Sequence, residues 1–285
     1  MIQDMLFDTA KDSLRLLPFL FFTYFFMEWL EHRTGQAARE RIRHAGKFGP
    51  IWGGFLGIMP QCGFSAAASS LYAGRVITAG TLLAVYLSTS DEMLPILISE
   101  AVPVGTIVKI LAVKCAIAVV SGLVVELVYV NVMKQTEKEM DIHTVCEEEH
   151  CSCEDGLLRS AVCHTLRIFF YIILISLILN MVIAWIGEET LAELFTSVPV
   201  VAEMVSALVG LIPNCASSVV ITELYLSGMI SAGAMMSGLL VNAGVGILVL
   251  FRLNRDWRQN ARIVGVLYGL GVFWGVVIQM FGITF

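Results

Sequence analysis

Two cysteines sit in the same setting 153 positions apart, each ending a proline-amide-cysteine triplet: Pro60-Gln61-Cys62 and Pro213-Asn214-Cys215. Both triplets interrupt apolar stretches. Proline removes a backbone donor and frees carbonyls one turn back. Irregular backbone at membrane depth persists only where it is buried in protein or lines a cavity. The helix that restarts after each break also aims its positive N-terminal end at the same place. Together the breaks supply two amides and two thiols, with Ser65 and Ser218 just beyond them. A small buried cysteine beside a kink is the plainer alternative. Recurrence of the whole triplet favours a binding site built from Gln61, Cys62, Asn214 and Cys215.

Carboxylates form the second group. Ser88-Thr89-Ser90-Asp91-Glu92 lies inside an apolar span. Charge there costs several kcal/mol and is usually functional, facing a water-filled cavity or a cation. Adjacent helical residues point about 100° apart, so one of Asp91 and Glu92 faces the site and the other makes a structural pair. At the matching positions of the second half stand Asn242 for Thr89 and Gly244 for Asp91. The acid is one-sided, which suits a coupling or cation site. The alternative places both carboxylates in solvent near the external membrane surface. Glu223, beside Thr222, is a further candidate, and Glu28 ends the first apolar run. Lys114 is expected to pair with Asp91, Glu92 or Glu223, and Lys109 to snorkel outward.

The third group is in the polar stretch 134–157, which carries His143, Cys146, His150, Cys151 and Cys153 among eight acidic residues. These soft ligands suit Zn(II), Cd(II), Cu(I) or As(III), although the spacing is not that of a zinc finger. The acid concentrates cations near them. A disordered acidic linker with incidental cysteines is the alternative. Cys163-His164 either extends the relay or packs.

The elements that must position these groups are read from a repeat. Residues 57–87 and 210–240 align without a gap, with ten of 31 pairs identical. Chance would give on the order of three. The composition is 57% apolar and only 15% charged, whereas a soluble domain is nearer half and a quarter. We therefore expect an all-α polytopic membrane protein of two repeats, 1–133 and 158–285, joined by the connector 134–157. Each repeat has five helical elements: 14–30, 50–60, 63–74, 77–99 and 104–131 in the first, then 158–186, 200–212, 216–227, 230–251 and 261–283. The short pieces, roughly 17 Å as helix, either form re-entrant hairpins or are extended by their flanks.

Three or five crossings per repeat is odd, which inverts the second repeat against the first. Charge agrees with inversion. Arg33, Arg39, Arg41, Arg43 and Lys47 mark one loop as cytoplasmic, as do Arg252, Arg255, Arg258 and Arg262. The segment 187–199 is acidic and belongs outside, as does the acidic N-terminus. Half-helices or hairpins of the two inverted-topology repeats then meet at the midplane. A multi-pass protein of the inner (plasma) membrane follows, with both termini outside and the connector cytoplasmic. The run Leu14–Leu30 lacks the flanks of a signal peptide.

The segments 58–92, 150–156, 176–180 and 211–246 together resemble the ten-helix (10TM) heavy-metal exporters, a family whose members are variously labelled arsenic efflux proteins or manganese transporters. The resemblance runs over nearly the whole chain. It implies ten helical elements in two repeats and export of a metal or metalloid.

Two functions are weighed. The first is a secondary exporter of a divalent cation such as Mn, Zn or Cd. Connector ligands capture the ion, the midplane holds it, and proton exchange through the carboxylates drives it. The second is a permease for arsenite or an organoarsenical, using the paired thiols. No phosphate-binding GxxxxGK[ST] occurs, so an ATP-driven pump in this chain is disfavoured. No catalytic zinc arrangement or nucleophile elbow is seen, so an enzyme is not expected. No prosthetic group and no nucleic acid is expected; the partners are the metal or metalloid ion and the bilayer. The glycine-rich face of 261–283 packs either on a helix of the same chain or on a second subunit of a homodimer.

Overall fold

The computed structural model describes residues 17–18, 21–22, 25, 48–59, 62–90, 93–133, 162, 165–166, 169–171, 173–174, 177, 200–214 and 216–285. In chain order its helices are α1 (Gly49–Leu56), α2 (Cys62–Ala73), α3 (Ala79–Ser88), α4 (Met93–Ser99), α5 (Val104–Met133), α6 (Val201–Gly210), α7 (Ala216–Leu226), α8 (Ala232–Val241), α9 (Gly246–Leu253) and α10 (Trp257–Met280). Strand is absent among the described residues.

The helices of the first half return in the second at the repeat offset, and so do the local devices that shape them. Thr78 caps α3 by accepting the Thr81 amide at 3.2 Å, and its counterpart Ser231 caps α8 by accepting the Ala234 amide at 3.1 Å. Each accepts one of the orphan donors of a first helical turn. The turn after α2 closes with the Val76 amide on Leu71 O at 2.8 Å, and the turn after α7 with Met229 on Leu224 O at 2.9 Å. Both turns pass through left-handed backbone, at Arg75 (φ 57°) and Gly228 (φ 75°). Glycine adopts that conformation freely, and arginine at a small cost.

Packing repeats as well. A Cβ at Gly80 would lie 2.6 Å from Gly122 O, and one at Gly233 2.6 Å from Gly275 O. Glycine is thus required where α3 crosses α5 and where α8 crosses α10, because the backbones touch. Gly271 and Gly275 face α8 of the same chain, while Gly265 and Gly269 meet nothing. This settles where that half of the glycine-rich face packs.

α3 and α8 are buried along their whole length and touch each other at the centre of the molecule. α1 and α5 flank α3, and α6 and α10 flank α8. Across the halves, α2 packs along α9 and α7 packs against α4. The Trp274 indole N–H donates to Ser121 Oγ at 2.9 Å. These two residues hold the same repeat position, so a rotation that exchanges the halves passes close to that bond.

Gly49 lies against Thr81, and Gly57 against Val85 and Ser88, so α1 runs beside α3 in the same direction. Five residues then separate the end of α2 from the start of α3. The pair is a hairpin whose two ends lie level with the start of α3. Gly210 against Gly238 repeats the arrangement in the second half.

Four stretches are long and apolar enough to cross a membrane: Ala79–Ser99, Val104–Val128, Ala232–Leu253 and Trp257–Met280. At about 1.5 Å per residue each covers a hydrocarbon core of roughly 30 Å. The element expected over 230–251 is two helices: α8 ends at Val241 and α9 starts at Gly246. This is the counterpart of the break between Ser88 and Met93.

Candidate functional site

The candidate site is where the two broken helices stop. α3 ends at Ser88, and Thr89 turns out of the helix with ψ 130°. Hydroxyls stabilise this end by returning to the last turn. Ser88 Oγ donates to Ala84 O at 2.9 Å, and Thr89 Oγ1 to Val85 O at 2.7 Å. α8 ends at Val241, and Asn242 leaves the helix with ψ 93°. The Asn242 side-chain oxygen accepts the Gly244 amide at 3.0 Å, and Gly244 adopts φ 51°.

Helix ends leave carbonyls without amide partners and carry partial negative charge. Here one ammonium reaches both ends. Lys114, from α5 and 1% exposed, donates through Nζ to Leu239 O at 2.9 Å and to Thr89 O. Leu239 lies in the last turn of α8, and Thr89 caps α3. A buried lysine is costly unless hydrogen-bonded to acceptors; two helix C-termini supply two of them. Carbonyl oxygen was not among the partners expected for Lys114.

The surroundings are polar and buried. Ser65, Ser69, Ser70, Ser88, Thr89, Ser90, Ser218 and Thr222 are all buried. Ser69 is a node: its Oγ lies 2.6 Å from Tyr86 Oη and 2.7 Å from both Ser65 O and Gly246 O. It ties α2 to α3 and to α9 of the other half. The sequence held a signal for it, because the matching position, Thr222, also carries a hydroxyl. The Asn242 amide nitrogen is buried without a hydrogen-bond partner. A donor left open beside two helix ends is a costly feature that a bound group or water would relieve.

Of the residues expected at the site, Thr89 and Asn242 lie at the two helix breaks. Ser65 is also buried there, with Gly246 pressed on its backbone. Asn214 is buried at the tip of the second hairpin, where its carbonyl accepts Ser217 Oγ at 2.8 Å, and Ser218 lies one turn on. Glu223 is exposed on α7, while its neighbours Thr222 and Leu224 are buried. A step of about 100° per residue turns it off the packed face. Lys109 is exposed, as expected.

Gln61, Asp91, Glu92, Cys215, His143, Cys146, His150, Cys151, Cys153, Cys163, His164 and Glu28 lie outside the described residues, as does the side chain of Cys62. Among the described residues no three His, Cys, Asp or Glu side chains converge. Cys115, next to Lys114 in sequence, is buried with Sγ 3.7 Å from Gly54 O of α1. It was not singled out from the sequence, and nothing in its apolar setting marks it.

A family model described as "Putative, 10TM heavy-metal exporter" matches residues 2–184 and 129–268. No curated protein and no solved structure matches the chain.

Proposed function

The chain belongs to the 10TM heavy-metal exporter family, and on that premise we propose that it is a secondary exporter of a divalent metal cation whose binding site is the crossing of α3–α4 and α8–α9. The observation that carries this reading is that two interrupted helices, one per half, end on a single buried ammonium. Half-helix C-termini and unwound carbonyls are the groups with which inverted-repeat transporters hold cations. Asp91 and Glu92 follow Thr89 by two and three residues. In this reading they add the formal charge that holds a divalent ion, and they exchange it for protons. Cys62 and Cys215, which close the two proline-amide-cysteine triplets, add thiols.

Inversion of the halves is supported by the packing between them. α2 begins beside the start of α9, at Ser65 and Gly246, and the two helices pack along one another. Their far ends therefore point to one face. That face gathers the exposed Arg75 after α2 and the exposed Arg252, Arg255, Arg258 and Arg262 after α9. The ends of α4 and α7 have no lysine or arginine, with Glu100 after α4. Positive-inside bias makes the arginine face cytoplasmic. The connector 134–157 leaves α5 on this side and offers its histidines and cysteines to the ion. Rocking of one half on the other exposes the crossing to each face in turn.

The test is accumulation in cells stripped of their own efflux systems. Cells expressing the chain should hold less of one of Mn(II), Zn(II) or Cd(II) than cells with an empty vector. Unchanged content of all three, with arsenite content lowered, would replace the divalent reading with the thiol permease.

A further inference from the structure

We propose that Thr89 O and Leu239 O form a cation-binding site of their own, filled in this structure by the Lys114 ammonium, and that Lys114 is the tethered cation of the empty carrier, which the cargo must displace. The first half stands on the geometry; the second rests on the exporter reading above.

Two carbonyl ends of opposed half-helices are brought to one point by the fold, and each carries roughly half a negative charge. The ammonium is the group found between them, 1% exposed and within hydrogen-bond reach of both. The repeat shows that the ammonium is not demanded by the architecture. At the position of Lys114 the second half has Leu267, equally buried, and α10 packs on α8 much as α5 packs on α3. A brace required by the fold would recur, whereas a single charge shared by two helix ends would not. Lysine also suits displacement. Its ammonium is a compact point charge on a flexible four-carbon stem, so it can withdraw from the carbonyls along the α5 surface. A cation arriving at the crossing then meets the same two oxygens. While a metal ion is held, the ammonium stands displaced; when the ion leaves, the ammonium returns and closes the site.

The site takes small cations, either bare or with N–H donors. The experiment uses the full-length protein purified in detergent, with Lys114→Ala opening the site. Thermal unfolding is followed with ethylammonium and, at equal concentration, with tetramethylammonium, which has no N–H to donate and a bulkier head. Ethylammonium should raise the Tm of Lys114→Ala by about 3 °C or more, as binding to the folded state alone requires. The wild type, its site filled, should not respond. Equal shifts from the two salts, or equal shifts in wild type and variant, would overturn the proposal. Should Lys114→Ala not fold, Lys114→Met keeps the stem without the charge; a Tm lowered from wild type supports the site, and a Tm equal to wild type overturns it. Because the readout is stability, a chain that moved no metal would leave the carbonyl site standing. A failed rescue would remove the site whatever the chain exports.

Discussion

Lys114, on the last helix of the first half, hydrogen-bonds Leu239 O of the second half at 2.9 Å while also reaching Thr89 O of its own half. One side chain thus reads the position of both helix breaks. Any motion of one half against the other changes the distance between those carbonyls, and so changes what the ammonium can hold. The bond joins the geometry of the crossing to the electrostatics of whatever occupies it.

The glycine contacts make the most direct structural prediction. Gly80→Ala and Gly233→Ala each push a methyl to within 2.6 Å of a carbonyl on the neighbouring helix. Each should cost about 1–3 kcal/mol, the usual range for overpacking, seen as a lowered melting temperature in detergent. Gly265→Ala and Gly269→Ala, with open space around them, should leave the melting temperature unchanged or slightly higher. Equal losses at all four positions would mean that the α3–α5 and α8–α10 contacts are not as close as described.

The Ser69 node makes a second. Ser69→Ala and Tyr86→Phe each remove one partner of a 2.6 Å buried contact. Each should lower stability by about 1 kcal/mol. The two losses should not add, because each variant already breaks the shared bond. A double variant whose loss equals the sum of the single losses would show that the hydroxyls do not act together.

Much of this architecture was legible from the repeat, and the reason is physical. Gly80 and Gly233, or Thr78 and Ser231, recur because each half solves the same packing and capping problem, and that recurrence is visible without coordinates. The break after Val241 is hard to read because Asn242-Ala243-Gly244 has no proline or carboxylate to mark it, although it aligns with Thr89-Ser90-Asp91. For Lys114 the sequence displays carboxylate partners, of which Asp91 and Glu92 lie outside the described residues, and not the two carbonyls that it reaches. Backbone carbonyls freed at helix ends carry no letter. Glu223 stands out by its type, but its exposure on α7 is set by helical phase, which its letter does not show.

Asn242 separates capping from transport. Asn242→Asp keeps an oxygen for the Gly244 amide but replaces the unpartnered donor with charge. Asn242→Ala removes the acceptor of the Gly244 amide and should cost about 1 kcal/mol. The aspartate variant should be as stable as wild type yet bind a divalent cation at least tenfold more tightly and release it more slowly. Metal affinity equal to wild type would place Asn242 outside the cation's reach.

The two halves should face opposite ways. Arg75→Cys and Ser227→Cys, near the ends of α2 and α7, occupy nearly matching turns, and both positions are exposed. In chains whose native cysteines are replaced by serine, an impermeant maleimide added to intact cells should label the cysteine at position 227 and not the one at 75. In everted membranes the pattern should reverse. Labelling of both from one face would mean that the repeats run parallel.

The measurement that bears most directly on the central claim is metal uptake into everted vesicles holding the full-length protein, with a pH gradient imposed. Mn(II), Zn(II), Cd(II) and arsenite are supplied one at a time to wild type, Asp91→Asn and Lys114→Met. The account predicts uptake of one divalent ion that responds to the gradient and falls at least tenfold in both variants. Uptake of that ion unaffected by either substitution would contradict it, because the crossing of the broken helices would then not be the path of the cargo.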